Sequence, residues 1–348
     1  MREELVTAAC HVLGAVTGRL ASREDTIPPP NPSFVILKRC CLGDVLASTA
    51  AVAAIRRRYP LARLDYATEA YSAPALAGNP DLTGIIPPTA GSLRKGRYDV
   101  AITLERSPAV AVLPWLARIP IRVGPNSAGR GFAHNLRVAC PPDRSEAEIA
   151  LDCAAALDVP VEGARPKFCP SAADRAAVDD LLPEGQELVA IAPGGGINPG
   201  MRLTSKRWPA DRFAALAERL SAEHSLRPVL VGGADDAELA GAFGGHAIDL
   251  IGRTSLGVTA AILQRCRLFV GNDSAPLHLA AAVGTPFVGI FGPSDPVRHR
   301  PLGGGEIVAA PLPRSAYRNG FAAADCIGSV SVGDVLAACE RVLRLSAE

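Results

Sequence analysis

Short apolar runs alternate with longer, alanine-rich segments along most of this chain, and the alternation occurs twice. The runs suited to buried strands are Phe34–Leu37, Arg63–Ala67, Val100–Leu104 and Ile119–Val123, followed later by Leu188–Ala192, Pro228–Val231, Ala247–Ile251, Leu268–Val270 and Phe287–Ile290. Helical segments such as Val45–Arg58 separate them. Because this strand–helix repetition is typical of parallel sheets covered by helices, the pattern predicts two doubly wound α/β halves.

A proline-rich stretch near residues 160–186 joins the two halves. We predict a Rossmann-like domain over residues 33–165, a second over residues 186–328 and a C-terminal helix over residues 329–348. Residues 1–32 combine an amphipathic helix with a proline-rich linker. Its polar positions carry charges of both signs, which favours docking of this extra N-terminal helix on the body or a partner over insertion into a membrane surface.

The charge balance and the cysteines exclude several classes of protein. The formal net charge is +1, so no overall field exists that would attract nucleic acid. The chain has 9 Cys, an odd number, and no Cys-x-x-Cys pair, so neither a metal site nor a disulfide framework is expected. Acids stand at Glu3 and Glu4, and no run reaches the ~18–20 apolar residues of a membrane span. We therefore expect a cytoplasmic protein.

Ligands of doubly wound sheets bind beyond the carboxyl ends of the strands, so the loops that follow the strands are the places to search. The first such loop contains Gly43 and Asp44. Asp44 fits either an N-cap of the next helix or a carboxylate that takes a proton from a substrate hydroxyl. Further along, the stretch from Arg106 to Arg144 contains six Arg and a single acid, Asp143, and suits either an anionic substrate or solvent.

The corresponding loop of the second half is rich in glycine and is followed by hydroxyl and basic side chains. Its candidate residues are Gly194, Gly195, Thr204, Ser205, Lys206 and Arg207. Glycines allow backbone amides to approach an oxyanion, while hydroxyls and cations add donors, so the loop predicts a diphosphate site. The alternative is a flexible connection. The spacing matches neither the dinucleotide-binding fingerprint nor the P-loop.

A third candidate loop runs from a buried strand into a helix at residues 271–278. Asp273 or Ser274 fits the N-cap, and the free amides of a helix N-terminus favour an anion. His278 lies one turn into that helix, where it could donate to a phosphate or simply be structural. Asp235 occupies another loop after a strand and suits a ribose contact or a cap equally well.

Taken together and in this order, the motifs resemble glycosyltransferase family 9, the bacterial heptosyltransferases of lipopolysaccharide core synthesis. The resemblance covers most of residues 34–345. The matching motifs are Leu42-Gly43-Asp44, Pro193-Gly194, Ser205-Lys206-Arg207-Trp208-Pro209, Ile251-Gly252-Arg253-Thr254-Ser255-Leu256, Gly271-Asn272-Asp273-Ser274 with His278, Gly284-Thr285-Pro286 and Phe291-Gly292-Pro293-Ser294-Asp295-Pro296.

The resemblance implies the GT-B fold, in which two Rossmann-like domains face a central cleft. It implies an inverting, metal-independent glycosyltransferase without a cofactor. The acceptor, a saccharide or glycolipid, would bind the N-terminal half, and a nucleotide-diphosphate sugar, by default ADP-heptose, would bind the C-terminal half. Asp44 would be the general base, and Lys206 would stabilise the charge of the departing diphosphate.

The resemblance also implies two sets of binding residues. The donor would be bound by Gly194, Gly195, Thr204, Ser205, Lys206, Asp235, Asp273, Ser274, Ala275 and His278, where Ala275 replaces the glycine usual in the family. For the acceptor we expect Gly43, Arg122 and Arg130. Peripheral association with the inner membrane through a lipid-linked acceptor stays open, as does the oligomeric state. The alternatives to a transferase are a GT-B nucleotide-sugar epimerase and a non-catalytic nucleotide-sugar-binding protein.

Overall fold

The computed structural model describes residues 27–198, 201–318, 321–322 and 326–345, together with residues 7, 9, 10 and 12. The predicted N-terminal helix lies outside the described residues apart from those four. The chain divides into two compact units, Met1–Pro166 and Lys167–Glu348. No helix in the part of the chain that the structure describes has the length and apolar character needed to cross a membrane.

The first unit is built on one parallel sheet. Its strands are β1 (Ser33–Leu37), β2 (Arg63–Ala67), β3 (Gly84–Ile86), β4 (Val100–Thr103), β5 (Ile121–Pro125) and β6 (Leu136–Val138). Its helices are α1 (Leu42–Arg58), α2 (Ala90–Gly96), α3 (Pro108–Leu116) and α4 (Glu146–Ala155). The strand order is β3-β2-β1-β4-β5-β6, so the chain starts in the middle of the sheet and builds outward in both directions, as in a nucleotide-binding doubly wound sheet.

The second unit repeats this plan. Its strands are β7 (Leu188–Ala192), β8 (Ile197–Asn198), β9 (Met201–Arg202), β10 (Arg227–Leu230), β11 (Ile248–Asp249), β12 (Leu268–Asn272), β13 (Phe287–Phe291), β14 (Gly305–Ala309), β15 (Tyr317–Arg318) and β16 (Phe321–Ala322). Its helices are α5 (Ala172–Asp179), α6 (Ala210–His224), α7 (Leu256–Arg265), α8 (Ala275–Val283) and α9 (Val332–Leu345). The main sheet has the order β11-β10-β7-β12-β13-β14, and β8–β9 and β15–β16 form short antiparallel pairs.

The predicted α/β class with two doubly wound halves is confirmed, and the strands of the two main sheets that the sequence did not predict lie at sheet edges. These are β3 and β6, the two edge strands of the first sheet, and β14, one of the two edge strands of the second. β3 has three residues, and Ile85 at its centre is 41% exposed. An edge strand pairs with a neighbouring strand on one side only and is more exposed than a central strand. Because it needs no continuous apolar run, its sequence resembles that of a loop.

The segment between the predicted domains also contains structure that the apolar pattern does not reveal. Helix α5 lies there, within the second unit, and it packs against α7. Its start is fixed by a capping box, in which Ser171 and Asp174 each bind the other's backbone N–H. Val178 is its buried residue, so the helix lacks the apolar stripe on which the sequence prediction depends.

The strand order fixes where each sheet can receive a ligand. The direction of chain progress reverses beside the first strand of each sheet, between β1 and β4 in one unit and between β7 and β12 in the other. Loops diverge at this point and leave room for a ligand outside the carboxyl ends of the strands. The loops after these four strands therefore carry the candidate residues considered next.

Candidate functional site

Asp44 lies in the first turn of α1, directly after the switch point of the first sheet. The helix begins at Leu42 with Cys41 as its N-cap, so Asp44 is not the cap. Its carboxylate instead accepts from the ammonium of Lys38, at 2.8 Å, and its side chain is 28% exposed. A partly exposed carboxylate at the helix N-terminus is compatible with contact to a substrate hydroxyl.

Lys38 is the buried partner in this arrangement. Burial alone would lower the pKa of its ammonium, but Asp44, Glu105 and Glu146 outweigh burial and raise that pKa above its usual value. Glu105 comes from the loop after β4, on the other side of the switch point, and also accepts from the backbone N–H of Arg39. The ammonium therefore stays charged beside the carboxylate of Asp44.

The three residues predicted for the acceptor lie at different places in the first unit. Gly43 is in the first turn of α1, and Arg130 is in the loop after β5, both at the carboxyl edge of the sheet. Arg122 is the second residue of β5 and pairs with Ala101 near the amino end of the sheet. Its guanidinium donates to the carbonyls of Ile119, Pro120 and Ala133. The Arg122 side chain thus binds carbonyls near the amino end of the sheet, and its contact with an acceptor stays a prediction.

In the second unit, the glycine loop packs closely against protein side chains. A Cβ on Gly194 would lie 2.1 Å from Cγ of Asp236, and one on Gly195 would lie 2.5 Å from Cβ of Ser274. Gly195 also has φ +106°, a conformation that favours glycine. These glycines are thus required for the approach of Asp236 and Ser274, in addition to any role in binding phosphate.

Lys206 and Asp273 form a buried ion pair at the switch point of the second sheet. Lys206 Nζ lies 2.6 Å from Oδ2 of Asp273, whose side chain is 6% exposed. Burial would raise the pKa of Asp273, but Lys206, His299 and His278 outweigh it and hold that pKa below its usual value. Nε2 of His278 lies 4.0 Å from Oδ1 of the same carboxylate. Asp273 is therefore ionised and can accept hydrogen bonds, but it cannot donate one.

Arg207 is paired in the same way. Its Nε donates to the carbonyl of Gly195 at 2.9 Å, and its NH2 group donates to Asp236 at 2.8 Å. Asp236 also accepts from the backbone N–H of Gly195 at 3.2 Å. Both cations predicted for the diphosphate are thus matched by a carboxylate.

Sequence reasoning missed three residues of this site. Asn272 donates to the carbonyls of Pro193 and Gly194 and accepts from the backbone N–H of Trp208, so it joins three segments of the unit. Asp236, and not its exposed neighbour Asp235, contacts the glycine loop. His299, in the loop after β13, acts on the charge of Asp273.

Signals for two of these residues exist in the sequence. Asn272 belongs to the Gly271–Ser274 motif, in which the sequence analysis selected its charged neighbour Asp273. The sequence alone does not show which of the adjacent acids 235 and 236 turns toward the glycine loop, because the backbone orients them.

Thr204 and Ser205 are exposed in a 3-10 turn beside Lys206, Ser274 is the N-cap of α8, and Ala275 is its first residue. The binding roles of these residues stay predictions.

Comparison with known proteins supplies the family. The model of glycosyltransferase family 9 (heptosyltransferase) matches residues 89–316. The chain belongs to glycosyltransferase family 9. Lipopolysaccharide heptosyltransferase 2 of Salmonella typhimurium is 30% identical in an alignment of 299 positions that covers 75% of this chain and 83% of that protein. The family assignment makes this chain a glycosyltransferase, as expected from its motifs.

Three further proteins agree with the assignment. Lipopolysaccharide heptosyltransferase 3 of Escherichia coli is 26% identical over 290 residues, 74% of this chain and 83% of its own length. The structure of the E. coli ADP-heptose lipopolysaccharide heptosyltransferase II superposes with a TM-score of 0.70 at 24% identity and covers 91% of this chain and 100% of its own. A family 9 glycosyltransferase from Veillonella parvula gives a TM-score of 0.76 at 20% identity, with 92% and 99% covered. These superpositions support the GT-B type of fold.

Proposed function

We propose that this chain transfers a heptosyl group from ADP-heptose to a saccharide of the lipopolysaccharide core, with inversion at the anomeric carbon and without a metal ion. The observation that carries the proposal is that a family 9 chain has charged side chains suited to transfer at the switch points of both sheets. A partly exposed carboxylate, Asp44, follows β1, and the pair Lys206–Asp273 stands beside the glycine loop. The Salmonella typhimurium relative is named a lipopolysaccharide heptosyltransferase, and the name of the E. coli heptosyltransferase II includes ADP-heptose.

On the donor side, the diphosphate would lie at the start of α8, beside its first backbone amides, the N-cap Ser274 and His278. Lys206 can shift part of its interaction from Asp273 to the phosphate oxygens as negative charge develops on the departing ADP. Asp273 accepts hydrogen bonds only, so we assign it to hydroxyls of the sugar and to holding Lys206 in place. Asp235 is exposed after β10, and we assign it to accept a hydrogen bond from the ribose.

On the acceptor side, Asp44 would remove the proton of the attacking hydroxyl. The acceptor oxygen forms its bond to the anomeric carbon while the bond from that carbon to the diphosphate oxygen breaks, and the electron pair leaves with ADP. The proton goes to the carboxylate of Asp44, and Lys38 stabilises that carboxylate before the reaction. Inversion follows because the oxygen attacks the face opposite the departing diphosphate.

The donor set of the site supports a reaction without a metal ion. Its two buried carboxylates, Asp273 and Asp236, are bound by Lys206 and Arg207. Among the described residues, the side chains grouped closely enough to hold an ion are Glu223, His224 and Glu340. Glu223 and His224 end α6, just before β10, and so lie at the opposite edge of the sheet. Transfer should therefore persist after treatment with EDTA; loss of activity that a divalent cation restores would refute this part of the proposal.

Calorimetry with ADP, UDP, GDP and dTDP tests the donor, and an assay with ADP-heptose and a lipopolysaccharide-core acceptor tests transfer. We expect ADP to bind best and the heptose to be transferred. Conversion of the nucleotide sugar without an acceptor would favour an epimerase. Nucleotide binding with neither reaction would favour the non-catalytic alternative.

A further inference from the structure

Two adjacent cysteines, Cys40 and Cys41, lie in the loop between β1 and α1, and the proposed transfer does not use them. Their Sγ atoms are 3.3 Å apart. Each residue is half-buried, so a small reagent can reach the pair from solvent. The other cysteines of the described residues are separated in sequence, whereas these two thiols are neighbours in both sequence and space.

The backbone around the thiols is held from several sides. The carbonyl of Arg39 accepts from the N–H of Glu69, at 3.0 Å, and its own N–H donates to Glu105. The N–H of Cys41 donates to the hydroxyl of Tyr71 at 2.6 Å, and its carbonyl accepts from Val45 at 3.0 Å. These bonds maintain the left-handed backbone of Cys41, with φ 72°. The pair is therefore preorganised, and binding across it costs little conformational entropy.

The local charges favour a thiolate at one of the two positions. The hydrogen bond with Cys41 and the nearby Lys38 ammonium outweigh burial and lower the pKa of Cys40 to about 7. The same hydrogen bond and burial raise the pKa of Cys41. A thiolate is the form of cysteine that attacks electrophiles and binds soft metals. Near neutral pH the loop thus presents a nucleophilic sulfur beside a second thiol.

We propose that Cys40 and Cys41 form a dithiol site that chelates a trivalent, thiophilic centre of the arsenical class. A structural zinc ion needs four ligands, and the described residues supply no third His, Cys or carboxylate close enough to this pair. A linear two-coordinate ion needs its sulfurs on opposite sides. A pyramidal trivalent centre binds two sulfurs on one side, as these thiols are arranged, and keeps its third substituent.

The reaction with phenylarsine oxide shows that the chemistry balances. Two arsenic–sulfur bonds form, and the oxygen of the reagent leaves as water with the two thiol protons. Arsenic stays trivalent, so no oxidant or reductant is required. The bound aryl group would lie beside Asp44 and Lys38 and would obstruct the acceptor, a consequence that rests on the proposed function.

Phenylarsine oxide and the full-length chain test the site. Intact-mass analysis should show one arsenical per chain, and peptide mapping should place it at residues 40–41. The dithiol 2,3-dimercaptopropanol should release it, whereas 2-mercaptoethanol at the same thiol concentration should not. Capture elsewhere, release by the monothiol or no capture at all would overturn the proposal.

Single-thiol variants supply the matched comparison. C40S and C41S should each retain the arsenical at least tenfold less well, while C169S, which removes another half-buried thiol, should retain it as the wild type does. Peptide mapping of the wild-type chain tests the dithiol site even where a variant does not fold.

Capture without any transferase activity would support the dithiol site and refute the proposed function. In an active enzyme, the arsenical should abolish transfer and leave ADP affinity unchanged; unchanged transfer would overturn the inhibitory role.

Discussion

Lys206 and Asp273 are 67 residues apart in sequence and form the buried ion pair of the second unit. Removing one partner leaves a buried charge unmatched, which costs about 3–5 kcal/mol, whereas removing both charges costs far less. We expect Lys206→Met to lower the free energy of unfolding by that amount and to weaken ADP binding. Lys206→Met combined with Asp273→Asn should recover most of the stability and none of the affinity. Denaturant unfolding and calorimetry measure the two quantities, and a stable single variant would contradict the pairing.

Asp44 is the residue on which the proposed chemistry depends. Asp44→Asn keeps the shape of the side chain and removes its capacity to take a proton, so kcat should fall by roughly 100-fold or more. ADP affinity should not change, because the donor loops belong to the other unit. Asp211, an exposed acid in the first turn of α6, provides the control Asp211→Asn, for which normal turnover is expected. Near-normal turnover of Asp44→Asn would end the assignment of Asp44 as the base.

His134 makes the first unit sensitive to acid. Burial, with Arg122 and Arg137 nearby, lowers the pKa of its imidazole from 6.5 to about 3. Below pH ~6.5 the imidazole gains a proton in the unfolded chain but not in the folded chain. The contribution of neutral His134 to the free energy of unfolding is therefore complete above that pH and declines as the pH falls toward 3. The loss between pH 6.5 and pH 5 is about 2 kcal/mol.

His134→Phe should flatten this pH dependence in denaturant titrations at a series of pH values. The exposed His246 supplies the comparison, and His246→Phe should keep the slope of the wild type. An unchanged slope in His134→Phe would show that another group is responsible.

At the scale of elements, the loop after β7 depends on glycine for packing. Gly194→Ala would drive a methyl group into the carboxylate of Asp236 and should lower stability by about 1–3 kcal/mol, as overpacking does. Gly241, with open space around its Cα, is the matched control, and Gly241→Ala should shift stability by less than about 0.5 kcal/mol. Thermal unfolding compares them. Equal shifts would mean that the loop adapts to the methyl group.

The elements that the sequence predicts best are those whose residues respond to burial alone. β1 and β7 are apolar along their length because both faces of a parallel sheet are covered, and their positions follow directly from the pattern. α5 could not be predicted in this way, since two capping side chains, rather than an apolar stripe, fix its start.

For the candidate site, too, some features can be predicted from the sequence and others cannot. Gly194, Lys206 and Asp273 are visible in the sequence as residue types in loops after strands. Their pairing is invisible there, because Lys206 meets Asp273 only through the parallel pairing of β7 with β12. The position of Arg122 is hidden for the same reason: charge can be counted in a sequence, but the end of the strand at which it lies depends on register.

At the scale of the whole molecule, each unit has its own sheet and its own buried cluster, and Trp208 and Phe213 pack edge to face in the cluster of the second. A unit with a complete core should fold alone. We expect the fragment 167–348 to unfold cooperatively and to bind ADP within about tenfold of the full-length affinity. Circular dichroism and calorimetry check this, and a fragment without a cooperative transition would show that it needs residues 1–166.

The shared strand order has a consequence for how such enzymes diversify. Under the proposed function, recognition of the nucleotide sugar and recognition of the acceptor are inherited on separate stretches of sequence, each attached to its own copy of one architecture. Mutations in the loops after β1 and β4 can accumulate without disturbing the glycine loop after β7. A lineage can therefore acquire a new acceptor while it retains an ancestral donor, and the two halves of one gene can evolve at different rates.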